Sequence, residues 1–97
     1  AYIDENFRRD ISLDDASREV DISPYYFSKL FKQETGKNFI EYLTEIRLKN
    51  ARELLQNSQL SIKEICVQSG YGDPNYFSRI FKKYEGVTPS EFRGRLG

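Results

Sequence analysis

The chain reads PYYFSKLFKQETG over Pro24–Gly36 and, fifty residues on, PNYFSRIFKKYEG over Pro74–Gly86. Seven of the thirteen positions are identical, and Lys29/Arg79 and Leu30/Ile80 exchange like for like. Phe27, Leu30 and Phe31, and again Phe77, Ile80 and Phe81, fall at i, i+3 and i+4, the spacing of one apolar stripe on an α-helix. Proline stands at the first helical position, where its missing N–H costs nothing, behind the cap residues Ser23 and Asp73. Gly36 and Gly86 close the segments as left-handed stops. One helix is written twice.

The repeat extends outward. Ser12–Tyr42 aligns with Ser61–Phe92 if one residue is inserted near Gly72. Leu13, Ala16 and Val20 then match Ile62, Ile65 and Ser69, and Tyr42 matches Phe92. Each copy is a short helix, a tight turn (Asp21-Ile22 or Gly70-Tyr71-Gly72) and a longer helix, the layout of a helix-turn-helix. Ser12 with Asp15 and Ser61 with Glu64 read as capping boxes or near variants, and Asn38 with Glu41 and Thr88 with Glu91 repeat the theme. Between the copies, Phe39, Ile40, Leu43 and Ile46 form one stripe of a long helix, and Leu48, Ala51, Leu54 and Leu55 form a second, offset one. The first suits packing on the first copy and the second on the second.

Strand signals are absent. The expected fold is all-α, with seven helices at about 2–9, 13–20, 24–34, 39–56, 62–69, 74–84 and 89–95. They make two helix-turn-helix subdomains, 1–37 and 58–97, joined by a linker helix at 38–57.

Composition narrows the function. The chain has no histidine, which removes the commonest general base and metal ligand, and no glycine-rich phosphate loop. An enzyme is not expected, nor a cofactor or a metal site. Cys66 is the only cysteine, so no internal disulfide forms, and its helical position marks it as a small core residue. No apolar run is long enough for a membrane span and no signal peptide is visible, which makes a cytoplasmic chain the expectation. The start at Ala1 inside an amphipathic pattern, with no methionine anywhere, suggests a piece of a longer protein.

Net charge is zero, but its distribution is uneven. Residues 1–22 hold seven acids against three arginines, whereas residues 74–97 hold five basic residues against Glu85 and Glu91. On the repeated helix, the stripe opposite the phenylalanines is Tyr25, Ser28, Lys29 and Lys32 in the first copy. In the second it is Asn75, Ser78, Arg79 and Lys82. Neither stripe contains an acid.

That chemistry suits the major groove of double-stranded DNA, which admits a helix and presents a distinct donor and acceptor pattern for each base pair. Arg79 can pair bidentately with guanine, Lys29 can reach the same acceptors, Asn75 can pair with adenine, and the Tyr25 ring can pack on a thymine methyl. Lys32, Lys82 and Lys83 suit phosphates, which fix position without reading sequence. Arg47 is assigned to phosphate as well, with support of a helix through Glu45 or Glu64 as an equal alternative. Phe27, Phe31, Phe77 and Phe81 are core by spacing, Tyr26 and Tyr76 are expected at the core boundary, and Arg93 and Arg95 read as a solvated helix end. Two readers in one chain, on a linker of roughly 27 Å at about 1.5 Å per residue, imply an asymmetric DNA site and a chain that works as a monomer. The rival reading is a helical protein-interaction module anchored by Tyr25 and Tyr71.

At Ile65–Phe92, ICVQSGYGDPNYFSRIFKKYEGVTPSEF, the chain resembles the DNA-binding domain of the AraC/XylS family of bacterial transcription regulators. Gly70-Tyr71, Tyr76-Phe77, Phe81-Lys82, Gly86, Pro89 and Phe92 carry the likeness, and Arg47-Leu48 with Ala51 and Leu54-Leu55 resembles the family's linker pattern. The resemblance implies two helix-turn-helix units reading successive major-groove segments. It places base reading at Tyr25, Ser28, Lys29, Asn75, Ser78 and Arg79, and RNA polymerase among the partners. It also implies an upstream receiver domain, as in two-component response regulators, or an effector-binding domain. Ala16-Ser17 departs from the family's larger aliphatic and alanine, which predicts looser packing of the first unit.

Overall fold

The computed structural model describes residues 5–9 and 11–96. Six helices are found among them: α1 Leu13–Glu19, α2 Pro24–Thr35, α3 Phe39–Asn57, α4 Ile62–Gln68, α5 Pro74–Glu85 and α6 Pro89–Leu96. The described residues contain no strand. These are six of the seven expected helices. The helix expected over 2–9 lies partly outside the described residues; within them Glu5 and Asn6 are helical and the chain turns at Phe7 and Arg8.

The caps are those the sequence encodes. Ser12 and Asp15 form a reciprocal capping box, with Asp15 N–H donating to Ser12 Oγ at 3.1 Å and Ser12 N–H to Asp15 Oδ2 at 3.0 Å. Thr88 and Glu91 repeat it at α6, at 3.2 and 3.0 Å. Ser23, Asn38, Ser61 and Asp73 accept from Tyr26, Glu41, Glu64 and Asn75 N–H groups. Gly36 (φ 77°) and Gly86 (φ 84°) end α2 and α5 in the left-handed region, which an L side chain enters only at a cost.

The two turns match bond for bond. Asp21 N–H donates to Arg18 O at 3.1 Å and Ile22 N–H to Ser17 O at 3.1 Å. In the second copy Gly70 N–H donates to Val67 O and Tyr71 N–H to Cys66 O, both at 3.0 Å. The pivot is left-handed in both: Asp21 at φ 58° and Gly70 at φ 95°. The inserted residue of the second copy therefore follows Tyr71.

The chain divides into two compact units, residues 1–46 and 47–97, with the boundary inside α3. The first core gathers Phe7, Ile11, Ala16, Phe39 and Leu43, with Phe27, Phe31, Tyr42 and Ile46 partly buried against it. The second gathers Leu48, Ala51, Leu55, Ile65, Cys66, Tyr71, Phe77 and Phe81. The two apolar stripes of α3 thus serve different cores, apart from Ile40, which is 63% exposed. Its position one residue inside α3 puts it at the edge of the first stripe, beyond what that core covers.

The units are not equally closed. Phe77 and Phe81 are fully buried, whereas no residue of α2 is. An apolar groove of about 330 Å³ remains open among Val20, Ile22, Phe27, Leu30, Phe31 and Glu34. Ala16 and Ser17, both buried, supply little volume beneath α2, as their small size predicts. Ser17 spends its hydroxyl on Asp14 O at 2.9 Å rather than on packing.

Candidate nucleic-acid interface

Helix α2 is held on its core by rings. Phe27 stacks on Phe31 at 5.7 Å between centroids, and Phe31 meets Phe39 and Tyr42 edge-on at 5.8 and 5.2 Å. This orientation turns Tyr25, Lys29 and Lys32 to solvent, with Ser28 half-buried. Helix α5 repeats the arrangement. Phe77 lies 5.4 Å from Tyr71 and 5.9 Å from Phe81, and Phe81 meets Phe92 edge-on at 5.5 Å. Asn75, Arg79, Lys82 and Lys83 are exposed and Ser78 is half-buried. Each set of expected base-reading residues therefore shares one solvent-facing side of its own helix.

The helix ends sharpen the contrast. Four of the six described helices carry an acid in the first turn: Asp14 and Asp15 in α1, Glu41 in α3, Glu64 in α4 and Glu91 in α6. Helices α2 and α5 carry none. An acid there stabilises a helix through the macrodipole; α2 forgoes that gain, and α5 takes it only from its cap residue Asp73. Of the acids in the last turns, Glu34 lies on the groove side with Phe27, Leu30 and Phe31, and Glu85 is paired with Arg52.

The cations divide by employment. Arg18 pairs with Asp15 at 2.7 Å, Lys37 with Glu45, and Arg52 with Glu85 at 2.8 Å. Among the described residues, no salt bridge engages Lys29, Lys32, Arg79, Lys82 or Lys83. Arg47 belongs with the employed group: its guanidinium lies 5.3 Å over the Tyr71 ring and it is half-buried.

Several residues lie elsewhere than the sequence suggested. Tyr26 is 51% exposed rather than at the core boundary, whereas Tyr76, 47% exposed, keeps its ring 6.0 Å from that of buried Tyr71. Each is the third residue of its helix, one position before its first core phenylalanine. Tyr71, named as an anchor for a protein-interaction surface, is buried and leaves that reading only Tyr25. Arg93 is not a solvated helix end. It is half-buried and donates to Leu60 O at 2.5 Å, Ser58 O at 3.3 Å, Leu55 O at 3.4 Å and Leu54 O at 3.5 Å, gathering carbonyls from the last turn of α3 and the loop after it. Asn50 donates to Ser69 Oγ at 3.2 Å and Gln68 O at 3.3 Å, tying α3 to the second turn. These pairs are 18 to 39 residues apart in the chain, so no local pattern announces them. Cys66 is buried, its Sγ 3.4 Å from Tyr71 O, and burial pushes its thiol pKa up.

No group of three or more His, Cys, Asp or Glu residues that could hold a metal ion occurs among the described residues. No described helix is long and apolar enough to cross a membrane.

Comparison with known proteins agrees with the geometry. The helix-turn-helix domain family matches residues 16–95. The transcriptional regulatory protein YesN of Bacillus subtilis is 49% identical over 78 residues, covering 78% of this chain and 21% of its own length. Among solved structures, the C-terminal domain of AraT, a response regulator from Geobacillus stearothermophilus, is 41% identical with a TM-score of 0.94, covering 97% of this chain and 78% of that one. The C-terminal domain of the two-component response regulator yesN from Fusobacterium nucleatum is 36% identical with a TM-score of 0.92, covering 95% of this chain and 90% of that one. The chain spans between about an eighth and a third of the length of the curated relatives it matches. A paired helix-turn-helix architecture, two solvent-facing acid-free helices and these relatives together place the chain in the AraC family of helix-turn-helix domains, the DNA-binding domains of transcriptional regulators.

Proposed function

We propose that this chain binds double-stranded DNA sequence-specifically, inserting α2 and α5 into two successive major-groove segments. The observation that carries the reading is the matched pair of exposed stripes. Each is free of acid until the last turn, and each has its lysines and arginine outside any internal salt bridge. Tyr25, Ser28 and Lys29 read bases from α2, and Asn75, Ser78 and Arg79 from α5. Lys32, Lys82 and Lys83 neutralise phosphates. Of the two roles open to Arg47, phosphate contact and helix support, its seat over Tyr71 favours support, in which it braces the second turn.

The functional division is 1–37 for the first reader, 38–57 for the linker helix and 58–97 for the second reader. The stripes differ in residue identity, so the preferred site is asymmetric, and one chain binds as a monomer. The work is regulation of transcription in the cytoplasm, with RNA polymerase as a partner. A receiver domain upstream of this chain is the arrangement the response-regulator relatives favour.

Arg79 gives the direct test. Arg79→Ala is expected to cost about 1–3 kcal/mol on the preferred duplex and to relax the preference at one base pair. Unchanged affinity and unchanged preference, measured by titration against single-substitution duplexes, would remove Arg79 from the reading set.

A further inference from the structure

We infer that Arg52 and Glu85 form a positioning clamp that sets the specificity of the second reader helix; the inference rests on the DNA-reading role proposed above. Arg52 Nη1 donates to Glu85 Oε2 at 2.8 Å, with the side chains 35% and 20% exposed. Glu85 is the last residue of α5, and Arg52 lies in the half of α3 that belongs to the same unit. The pair pins the far end of the reader.

The near end is pinned separately. Asn50 bonds Ser69 and Gln68, Arg47 lies over Tyr71, and Asp73 caps α5 through Asn75 N–H at 2.9 Å. Between the ends, Phe77 and Phe81 bury α5, but apolar burial is non-directional and tolerates small tilts and slides. A polar pair with defined geometry does not.

The tolerance matters because base reading is exacting. Arg79 lies near the middle of α5, so a tilt of about 5° about the N-terminal end moves its Cα by roughly 0.7 Å at about 1.5 Å per residue. A recognition group must be held to roughly 0.5 Å. Loss of the clamp therefore degrades the bidentate contact while leaving the helix folded and its phosphate-facing lysines in place.

The first reader has a different end. Thr35 stands where α5 has Glu85, and its hydroxyl donates to Phe31 O at 2.8 Å, within its own helix. Removing the clamp should therefore affect one half of the DNA site only.

The test uses the 97-residue chain as wild type, Arg52→Ala, Glu85→Gln and the exchange Arg52→Glu with Glu85→Arg. Each is titrated against the preferred duplex and against single base-pair changes in either half. A single base pair ordinarily commands about 5- to 150-fold discrimination. The two single variants are expected to lose at least about threefold of it in the half read by α5 and to keep it in the other half. Low-salt binding to random duplex should be unchanged, and the exchange should restore discrimination. Where Arg52→Ala lowers helicity, Glu85→Gln, nearly isosteric, decides. Discrimination that survives in both single variants, falls equally in both halves, or is not recovered by the exchange overturns the clamp. A wild-type chain with no sequence preference overturns the DNA-reading role itself, which separates the two failures.

Discussion

At the scale of the residue, the chain sorts its cations by what surrounds them. Arg18, Arg52 and Arg93 are spent on carboxylates and carbonyls, and Arg47 on a ring, while the lysines of α2 and α5 face solvent. Lys82 belongs to the second group and has no side-chain geometry that favours one base. Lys82→Ala is expected to weaken binding to all duplexes about equally and to lower the slope of log K against log salt by about one. A loss confined to one base pair, seen by titrating a panel of duplexes across salt, would move Lys82 into the base-reading set. Residue types at helical spacing were legible from sequence, which is why each proposed stripe falls on one solvent-facing side. Arg93 was not, because its carbonyl partners lie in a segment more than thirty residues earlier. Tyr26 misled because an aromatic next to a core position looks apolar in sequence while its phenol stays in water.

At the scale of the element, boundaries were legible wherever a side chain makes the cap. All the Ser, Thr, Asn and Asp starts and both glycine stops lie within reach of the groups they satisfy. The caps also predict the acid limb of stability. Backbone N–H donation from Ser12 and Thr88 holds the Asp15 and Glu91 carboxyls below their usual range. A depressed folded pKa means that the contribution is present above the unfolded value, near pH 4, and is lost as pH falls through the folded value. Thermal melts between pH 6 and pH 2.5 should show that loss, and Asp15→Asn with Glu91→Gln should reduce it. An identical acid limb in the double variant would contradict the assignment. The repeat misled in one respect: two near-identical helices pack unequally, because the residues beneath them differ. Phe77→Ala should cost about 3–5 kcal/mol, and Phe27→Ala, beside an open groove, about 1–3 kcal/mol. Chemical denaturation of the two variants decides it; equal costs would mean that α2 is packed as tightly as α5.

At the scale of the whole molecule, a net charge of zero conceals a pattern. Fifteen acids are balanced by fifteen bases, yet the acids gather at helix starts and in the first 22 residues, away from the solvent stripes of α2 and α5. Architecture followed from sequence because the repeat, the caps and the split stripe of α3 all point to one arrangement. The division of labour within the second unit did not, since it depends on pairs that fold alone brings together. The central claim is that one chain reads DNA twice with two different sets of side chains. Its most direct test is selection from a randomised duplex pool across a salt series, with sequencing of what stays bound. The account predicts steep salt dependence and enrichment of an asymmetric site with two separated blocks of preference, one of which Arg79→Ala blurs. Salt-insensitive binding, or retention with no sequence enriched, would contradict it.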